Sequence, residues 1–464
     1  MRLAYSSLSL RVVLGLFGLS LLALSVTGSP TFSRLTYLWG FLLAGSWVWA
    51  RLALRGVEVR RQTRTLRAQV GQTFQERFEV QNDSRLPRLW LEVRDRSSLP
   101  GLRRSRVLTR VGRQERRSFR VRTRLVQRGV FSLGPTVLVS ADLFGLFPVS
   151  RTAPSDASLL VYPMMVDVHA FPSPPGLLPG GEALRLRTHQ VTPNAAGVRE
   201  YVPGDSMNRI HWPSTARRDN LMVKEFELDP RADVWIFLDA DRKAQAKLPY
   251  SSPSQAMDAL WHPWKEVGLP PSTEEYAVSI AASLGRYFLR RGRAVGLVSA
   301  PNPCGVLHNE KNNLAGLGPF QNPLLGRHRR SQAPNVIPPD RGGRQLGKIL
   351  EDLALLRAEG DLPISALAMA QARHLSRGST LILITSSVKE DVALAMDVLL
   401  QRGVQPVTVL LDAASFGGPP GTEDLAAAVA ALGVPVCRVE NGADLETVLG
   451  MGVSDLMAWR RRIL

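Results

Sequence analysis

Two apolar runs open the chain, and no later segment is as greasy. Val12 to Ser33 reads VVLGLFGLSLLALSVTGSPTFS without a charge, and Leu35 to Leu54 reads LTYLWGFLLAGSWVWARLAL, broken only by Arg51. A helix rises about 1.5 Å per residue, so about 20 residues cross the hydrocarbon layer. Both runs manage that length, since Arg51 lies within snorkelling reach of the interface. Thr27-Gly28-Ser29-Pro30 supplies a turn between them, and Tyr37, Trp39, Trp47 and Trp49 sit towards the ends of the second run. Amphipathic rings prefer that depth. Residues 1–55 are therefore expected to form a two-helix transmembrane hairpin. A cleaved leader ending near Ala23-Leu24-Ser25 is the alternative, weakened because a second apolar run follows at once.

From Gly56 onward the pattern changes to period two. VEVRRQ, FQERFEVQN, LWLEVRD, RSFRVRTRL, GVFSLG and TVLVSA alternate apolar and polar positions between Asn-Asp-Ser, Pro-Gly and Gly-Pro breaks. Residues 56–155 thus read as a small antiparallel β-sandwich. Its outward positions carry arginine, for example Arg120, Arg122 and Arg124 beside Phe119, Val121 and Thr123. At its end, Leu143, Phe144, Leu146 and Phe147 around Gly145 are expected to form a buried plug.

Residues 156–230 connect this domain to a third pattern over 231–464. Near-continuous apolar runs at Ala232–Asp241, Ala294–Ala300, Thr380–Ser387, Gln405–Ala413 and Val434–Glu440 alternate with helical periodicity at Glu274–Arg291, Gln345–Arg357, Ile364–Leu375, Val388–Arg402, Thr422–Leu432 and Ala443–Leu449. Buried parallel strands with helices on both faces give a doubly wound α/β domain, whose ligands belong beyond the carboxyl ends of the strands. Two excursions, Lys243–Ser272 and Pro301–Pro339, interrupt the pattern.

Charge refines the picture. The whole chain of 464 residues carries a net charge of +18, yet residues 1–150 hold 25 Arg and no Lys against 8 acids, so nearly all the excess is N-terminal. The positions flanking the apolar runs point the same way. Arg2 and Arg11 precede them, Arg34 alone lies between, and Arg51, Arg55, Arg60 and Arg61 follow. The positive-inside bias places both termini and the main body in the cytoplasm. The arginine-rich sandwich can serve an anionic lipid surface. Nucleic acid is the poorer alternative, because aromatic rings do not interleave the arginines as stacking platforms would. Cys304 and Cys437 lie far apart in no CxxC pattern, which points to a reducing compartment and to neither a disulfide framework nor a zinc site.

One stretch, REYVPGDSMNRIHWPSTARRDNLMVKEFE from Arg199 to Glu227, fits none of these patterns. Pro203-Gly204 suits a type II turn. Asp205 or Ser206 can cap a short helix, SMNRIHW, ended by Pro213. Ile210 and Trp212 can anchor that turn on the α/β domain, and Arg199, Arg209 and Arg217 have Glu200, Asp205, Glu225 and Glu227 as possible bidentate partners. The segment, including Tyr201, Gly204 and Lys224, is either a binding surface or a structural clasp. His211, with no acid or nucleophile to complete a catalytic set, reads as a hydrogen-bonding residue.

The combination resembles the bacterial membrane proteins grouped as domain of unknown function 58. The resemblance is carried by the apolar hairpin, by RGVFSLGP…DLFGLF, and above all by Arg199-x-Tyr201, Pro203-Gly204-Asp205, Arg209-Ile210-x-Trp212 and Ala216-Arg217. Leu143 stands where the family usually has proline. The resemblance implies a von Willebrand factor A-like α/β domain, a place in the bacterial inner membrane, and partnership with a MoxR-type AAA+ ATPase, with a transglutaminase-like membrane protein as a further partner. The function so implied is that of a scaffold or adaptor, without catalysis of its own. Domains of this kind can hold a divalent cation through Asp-x-Ser-x-Ser, a loop Thr and a later Asp. Here Asp239 matches, Asp241 and Lys243 replace the two serines, and Ser386 or Ser387 stands where the later Asp is expected. Asp239, Asp241 and Ser386 are thus a degenerate candidate site for Mg²⁺, with Lys243 able to neutralise an acid in the metal's place. A metal-dependent hydrolase at this edge, or lipid or nucleic-acid binding by the sandwich, are the alternatives to the adaptor.

Overall fold

The computed structural model describes residues 2–3, 8–101, 105–155, 157–172, 187–188, 195–202, 207, 210–218, 220–227, 233–250, 268–300 and 334–450. Side chains at 2–3, 187–188, 195–197, 199 and 224–227 are outside that description. The chain divides into two compact units, one taking in residues 1–163 and the other the described residues from Met164 onward.

In the first unit a two-residue strand, β1 (Arg2–Leu3), precedes α1 (Leu8–Thr27) and α2 (Pro30–Ala53). Gly28 takes a positive φ of 61° at the turn, and Ser29 caps α2 by accepting from the Thr31 N–H, with Pro30 in the first helical position where its missing N–H costs nothing. The helices touch: Thr36 donates to Ser20 Oγ at 3.3 Å, and Phe17 lies against Gly40. Helix α1 is long and apolar enough to cross a membrane. The second expected span is also a helix, but it carries Arg34 and Arg51, and its last turn leaves the apolar run behind. Ala50, Ala53 and Leu54 are buried in the core of the β-domain.

That domain follows as β2 (Val57–Thr63), β3 (Arg67–Gln69), β4 (Thr73–Asn82), β5 (Arg88–Asp95), β6 (Ser105–Val111), β7 (Arg116–Arg124), β8 (Gly129–Ser132), β9 (Thr136–Ser140), β10 (Val149–Ala153) and β11 (Ser158–Tyr162). Two antiparallel sheets, β2-β4-β7 and β1-β10-β9-β5-β6, share one core. Phe78, Val80 and Phe119 come from the first, Leu91, Val93, Leu138 and Val149 from the second. Phe78 and Phe119 stack with centroids 5.3 Å apart. Each such buried large apolar side chain contributes about 1.5–3 kcal/mol. The outward arginines of β7 behave as the alternation demands, with Arg120 and Arg122 exposed and Phe119 buried. A third small sheet, β3-β11-β8, departs from the expected all-antiparallel pairing, because β11 runs parallel to β3.

The apolar plug is not what forms around Gly145. Leu146 is buried and Phe147 packs on the core, but Leu143 and Phe144 are 65% and 61% exposed. Asp142 explains it. Its carboxylate accepts from the backbone N–H of both Phe144 and Phe147, closing a tight turn, and Gly145 sits at φ 67°. The first two apolar residues are thrown outward while the last two turn in.

The second unit begins with a small sheet, β12 (Arg187–Thr188), β13 (Ala195–Glu200) and β14 (Met222–Glu227), ordered β12-β14-β13, with α3 (Trp212–Arg218) between the last two. Then come β15 (Val234–Leu238), α4 (Thr273–Arg290), β16 (Val295–Ser299), β17 (Asn335–Asp340), α5 (Gln345–Leu355), α6 (Ile364–Gln371), β18 (Thr380–Thr385), α7 (Asp391–Gln401), β19 (Gln405–Leu411), α8 (Thr422–Ala431) and β20 (Val436–Val439). The six-stranded order is β17-β16-β15-β18-β19-β20, all parallel except the edge strand β17. Strand β17 falls within what the sequence marked as the second excursion. Pro338 and Pro339 disguise it, yet proline is tolerated on an edge strand, where one row of N–H groups has no ladder partner. Residues 251–267 and 301–333 of the two excursions lie outside the described residues.

Both sheet faces are covered. Gly285 of α4 lies against Ile236 and Ile349 on one side. On the other, Phe237, Leu381, Leu383 and Leu410 pack with Leu367, Met396, Leu399 and Leu425 from α6, α7 and α8. The chain runs outward from β15 through β16 and β17, then returns to β18 on the opposite side. The carboxyl ends of β15 and β18 therefore flank the point at which strand order reverses, the place where sheets of this kind open a crevice.

Candidate functional site

A cavity of about 120 Å³ opens at that reversal point, lined by Asp239, Asp241 and Lys243 after β15, by Ser386, Ser387 and Lys389 after β18, and by Ser365 and Asp391 from the first turns of α6 and α7. The three residues expected as metal ligands, Asp239, Asp241 and Ser386, are thus brought together. Their bonding, however, is already directed at the protein. Asp239 is 3% exposed, and both carboxylate oxygens are engaged, one by the backbone N–H of Asp241 at 3.0 Å and the other by the Thr385 hydroxyl at 2.5 Å. Its own N–H donates to Ile384 O. Asp239 so ties the end of β15 to the end of β18. Burial pushes its pKa up to about 6, against the opposing hydrogen bonds from Thr385 and Asp241 and the weaker pull of Lys389.

Asp241 is equally buried, and its Oδ1 accepts from the backbone N–H of Lys243 at 3.0 Å. The sequence suggested that the Lys243 ammonium would neutralise one of these acids. The contact is made by its amide instead, because a two-residue turn points Asp241 back at the chain, and the Lys243 side chain is exposed. Ser386 donates to Ala244 O at 2.7 Å. Asp361, on the loop that should have offered a threonine, pairs with Arg242 at 3.9 Å on the surface.

A hard cation such as Mg²⁺ asks for an octahedron of oxygens on a rigid frame. Among the described residues no group of three His, Cys, Asp or Glu side chains converges. Asp239 has both oxygens engaged and Asp241 has one, and two lysines stand beside them, which is a poor match to that donor set. Two ammonium groups, of Lys243 and Lys389, share this cavity with the carboxylates of Asp241 and Asp391, while the Ser386 and Ser365 hydroxyls donate to Ala244 O and to Asp391. Thr385, Lys389, Ser365 and Asp391 were missed as site residues. Only the run Thr385-Ser386-Ser387 directly after an apolar strand could have drawn attention to the first.

The signature stretch is partly described. Arg199 lies in β13 and Lys224 and Glu225 in β14, where Val198 pairs with Lys224 and Arg199 with Val223. Gly204, Asp205 and Arg209, with the proposed type II turn and cap, lie outside the described residues. Helix α3 starts at Trp212 and runs through Pro213, so that proline lies at the start of a helix; of the short helix expected over 206–212, residues 206, 208 and 209 lie outside the described residues. His211 prepares that start. Its carbonyl accepts from the N–H groups of Ser214 and Thr215, and its Nδ1 lies 2.7 Å from Ser214 Oγ. Of the two expected anchors only Ile210 is buried, bridging to Val223, while Trp212 is 65% exposed. Tyr201 is half-buried, and its N–H donates to Leu221 O. Arg217 is exposed on α3.

Residues 197–250 match the family described as protein of unknown function DUF58. The chain is also similar to the uncharacterized protein YeaD of Bacillus subtilis (strain 168), 28% identical over 218 residues, covering 47% of this chain and 39% of that relative's length. The family match is confined to that segment, and the chain spans about two fifths of the length of the curated relative it matches. Among solved structures, the CARDB domain of a Pyrococcus furiosus protein in complex with di-metal ions is 12% identical, covering 23% of this chain and 91% of its own, with a TM-score of 0.17. The Pseudomonas fluorescens alkylpurine DNA glycosylase AlkC bound to DNA is 14% identical, covering 34% and 48%, with a TM-score of 0.15. Scores at that level support no inference.

Proposed function

We propose that this protein is a membrane-anchored scaffold or adaptor whose α/β unit receives an acidic group of a cytosolic partner at the reversal-point cavity. The observation that carries the reading is the pair of exposed lysines, Lys243 and Lys389, at the rim of a cavity whose aspartates Asp239 and Asp241 accept from the protein's own backbone amides. Each of these ammonium groups can pair with an acidic side chain of a partner at the rim, while the carboxylates of Asp241 and Asp391 keep the cavity itself from being a strongly basic pocket. The sheet order, with its antiparallel edge strand, supports the von Willebrand A-like architecture that the family resemblance implies. That resemblance also names the partner to test first, a MoxR-type AAA+ ATPase, with a transglutaminase-like membrane protein second.

Anchoring is part of the same proposal and is supported by α1, which is long and apolar enough to cross a membrane. Helix α1 crosses the inner membrane and α2 returns, leaving both termini and the main body in the cytoplasm. The pairing of β1 with β10 supports this, because it sets the start of α1 beside the same domain that buries the end of α2.

Purification of the full chain from membranes is expected to bring the ATPase with it. Lys243→Glu with Lys389→Glu should reduce that recovery at least tenfold, since two charge reversals each cost about 1 kcal/mol or more near a docked acid. Recovery equal to wild type would remove the cavity from the interface. Trp212→Ala and Arg217→Ala, at exposed positions, should leave stability within about 0.5 kcal/mol of wild type. If they alone abolish recovery, the signature face is the docking surface.

A further inference from the structure

Strand register divides the loops of the β-domain into two ends. Val57 pairs with Asn82, Gln81 with Arg116, and Arg88 with Val111, so the loops at 83–87 and 112–115 lie at the end where α2 enters. Leu3 pairs with Val149 and Val149 with Ser140, so the turn at 141–148 lies at that end too, beside the strand that leads into α1. The apolar surface is distributed unequally. Leu143 and Phe144 at the tip of that turn are 65% and 61% exposed, and Leu86 and Trp90 are 42% and 37% exposed. Trp90 belongs to the same end, because its carbonyl accepts from the Ser140 hydroxyl. At the opposite end the loop between β2 and β3 offers Leu66, at 38%, and β8 offers Val130, at 42%, neither as exposed as the two tip residues. Exposed arginine is present at both ends, as Arg85 in the 83–87 loop and as Arg64, Arg67 and Arg96 at the other, and Arg51 lies over Trp47 at 4.3 Å beside the buried Ala50.

We infer that this end of the β-domain is a membrane-contact surface, with Leu143 and Phe144 inserted among the lipid headgroups and arginine meeting anionic phosphates around them. The inference rests on the reading of α1 as a membrane span and adds to it the face, and the residues, by which the soluble body lies against the bilayer. Position argues for lipid as the occupant. A turn that follows β9 and precedes the partner strand of β1 cannot stand far from the surface into which α1 runs. Its chemistry agrees, since bulky apolar side chains at a rigid tip with cations beside them suit the headgroup boundary. Asp142 holds the tip rigid through two backbone amides, so exposing it costs no further ordering.

The full chain, carrying Cys304→Ser and retaining the buried Cys437, is reconstituted into vesicles of phosphatidylcholine and phosphatidylglycerol. A polarity-sensitive fluorophore is placed at Phe144→Cys or, as the control at the far end, Thr65→Cys. Lipids with a nitroxide near the headgroup should quench the label at 144 several-fold more than the label at 65, and the label at 144 should emit further to the blue. Equal quenching at the two positions, in protein that floats with the vesicles, overturns the contact surface and leaves the anchor intact. A blue-shifted label at 144 that lipid nitroxides do not reach also overturns it, and assigns the tip to a protein contact. Failure of the chain to float would overturn the anchor and the contact surface together.

Discussion

Arg61→Met should destabilise the β-domain by about 3–5 kcal/mol, the loss expected when one partner of a buried ion cluster is removed. Arg61 reaches Glu76 Oε1 through Nε at 2.7 Å, and Asp95 at 3.1 and 3.3 Å, and it donates to Ser97 Oγ at 3.0 Å. The side chains of the three charged residues are 8%, 0% and 7% exposed. Burial already pushes Glu76 above the usual carboxylate range, with Arg61 the main restraint on that rise. Without the guanidinium, two carboxylates would share a dry site. The variant therefore has a pH signature. A raised folded-state pKa means that the native chain holds a proton which the unfolded chain gives up, so lowering the pH favours the folded form and shrinks the deficit. Urea denaturation, with hydrogen exchange of β2, β4 and β5 amides as the local readout, checks both parts. Arg61→Met combined with Glu76→Gln and Asp95→Asn should recover most of the loss. A single variant as stable as wild type would show that the cluster contributes nothing net.

Asp239→Asn should act in the opposite sense on the α/β unit. The wild-type carboxyl titrates at about 6 in the folded state and near 3.9 when unfolded. Between those values the native chain keeps a proton that the unfolded chain releases, so stability is lost as pH rises through that window, by about 2–3 kcal/mol in all. Asparagine keeps an oxygen for the Asp241 amide and never ionises. The variant should thus match wild type near pH 4, exceed it above pH 6.5, and lack the slope between. Calorimetry or urea titration across that range provides the measurement. A variant less stable than wild type at pH 8 would mean that the charge at 239 is wanted, and would reopen the cation site. Titration with Mg²⁺ is the companion measurement, with no saturable binding expected that Asp239→Ala abolishes.

Much of the architecture was legible because it rests on periodicity. The alternation in β4 and β7, the uninterrupted apolar runs of β15, β18 and β19, and the helical periods between them all led to elements within a few residues of their observed limits. What periodicity could not supply was the fate of individual polar residues. Arg61 and Arg128 sit in a chain third so rich in arginine that each looked like surface, yet Arg128 is fully buried and Arg61 nearly so. The partners of Arg61 lie on β4 and at the end of β5, and no local pattern marks them. The same reason hid Thr385, whose link to Asp239 spans 146 positions of sequence. Trp212 misled in the other direction: its hydrophobicity suggested an anchor, but α3 begins at that residue and turns it to solvent. In the 141–148 turn, four apolar side chains read as one plug, because the two amide bonds of Asp142 that split them are invisible without coordinates.

The pairing of Arg2 with Ser150 has a consequence for biogenesis. The first strand of that sheet is synthesised before either apolar helix, but its neighbour emerges only after nearly 150 more residues, on the order of ten seconds later at ordinary translation speeds. The greasy segments have left the ribosome long before the domain can close around the root of α2. Under the anchoring proposed above, chain order makes lipid insertion the early event and sheet closure the late one, so a tag that occupies the first few residues would hinder the second step and spare the first.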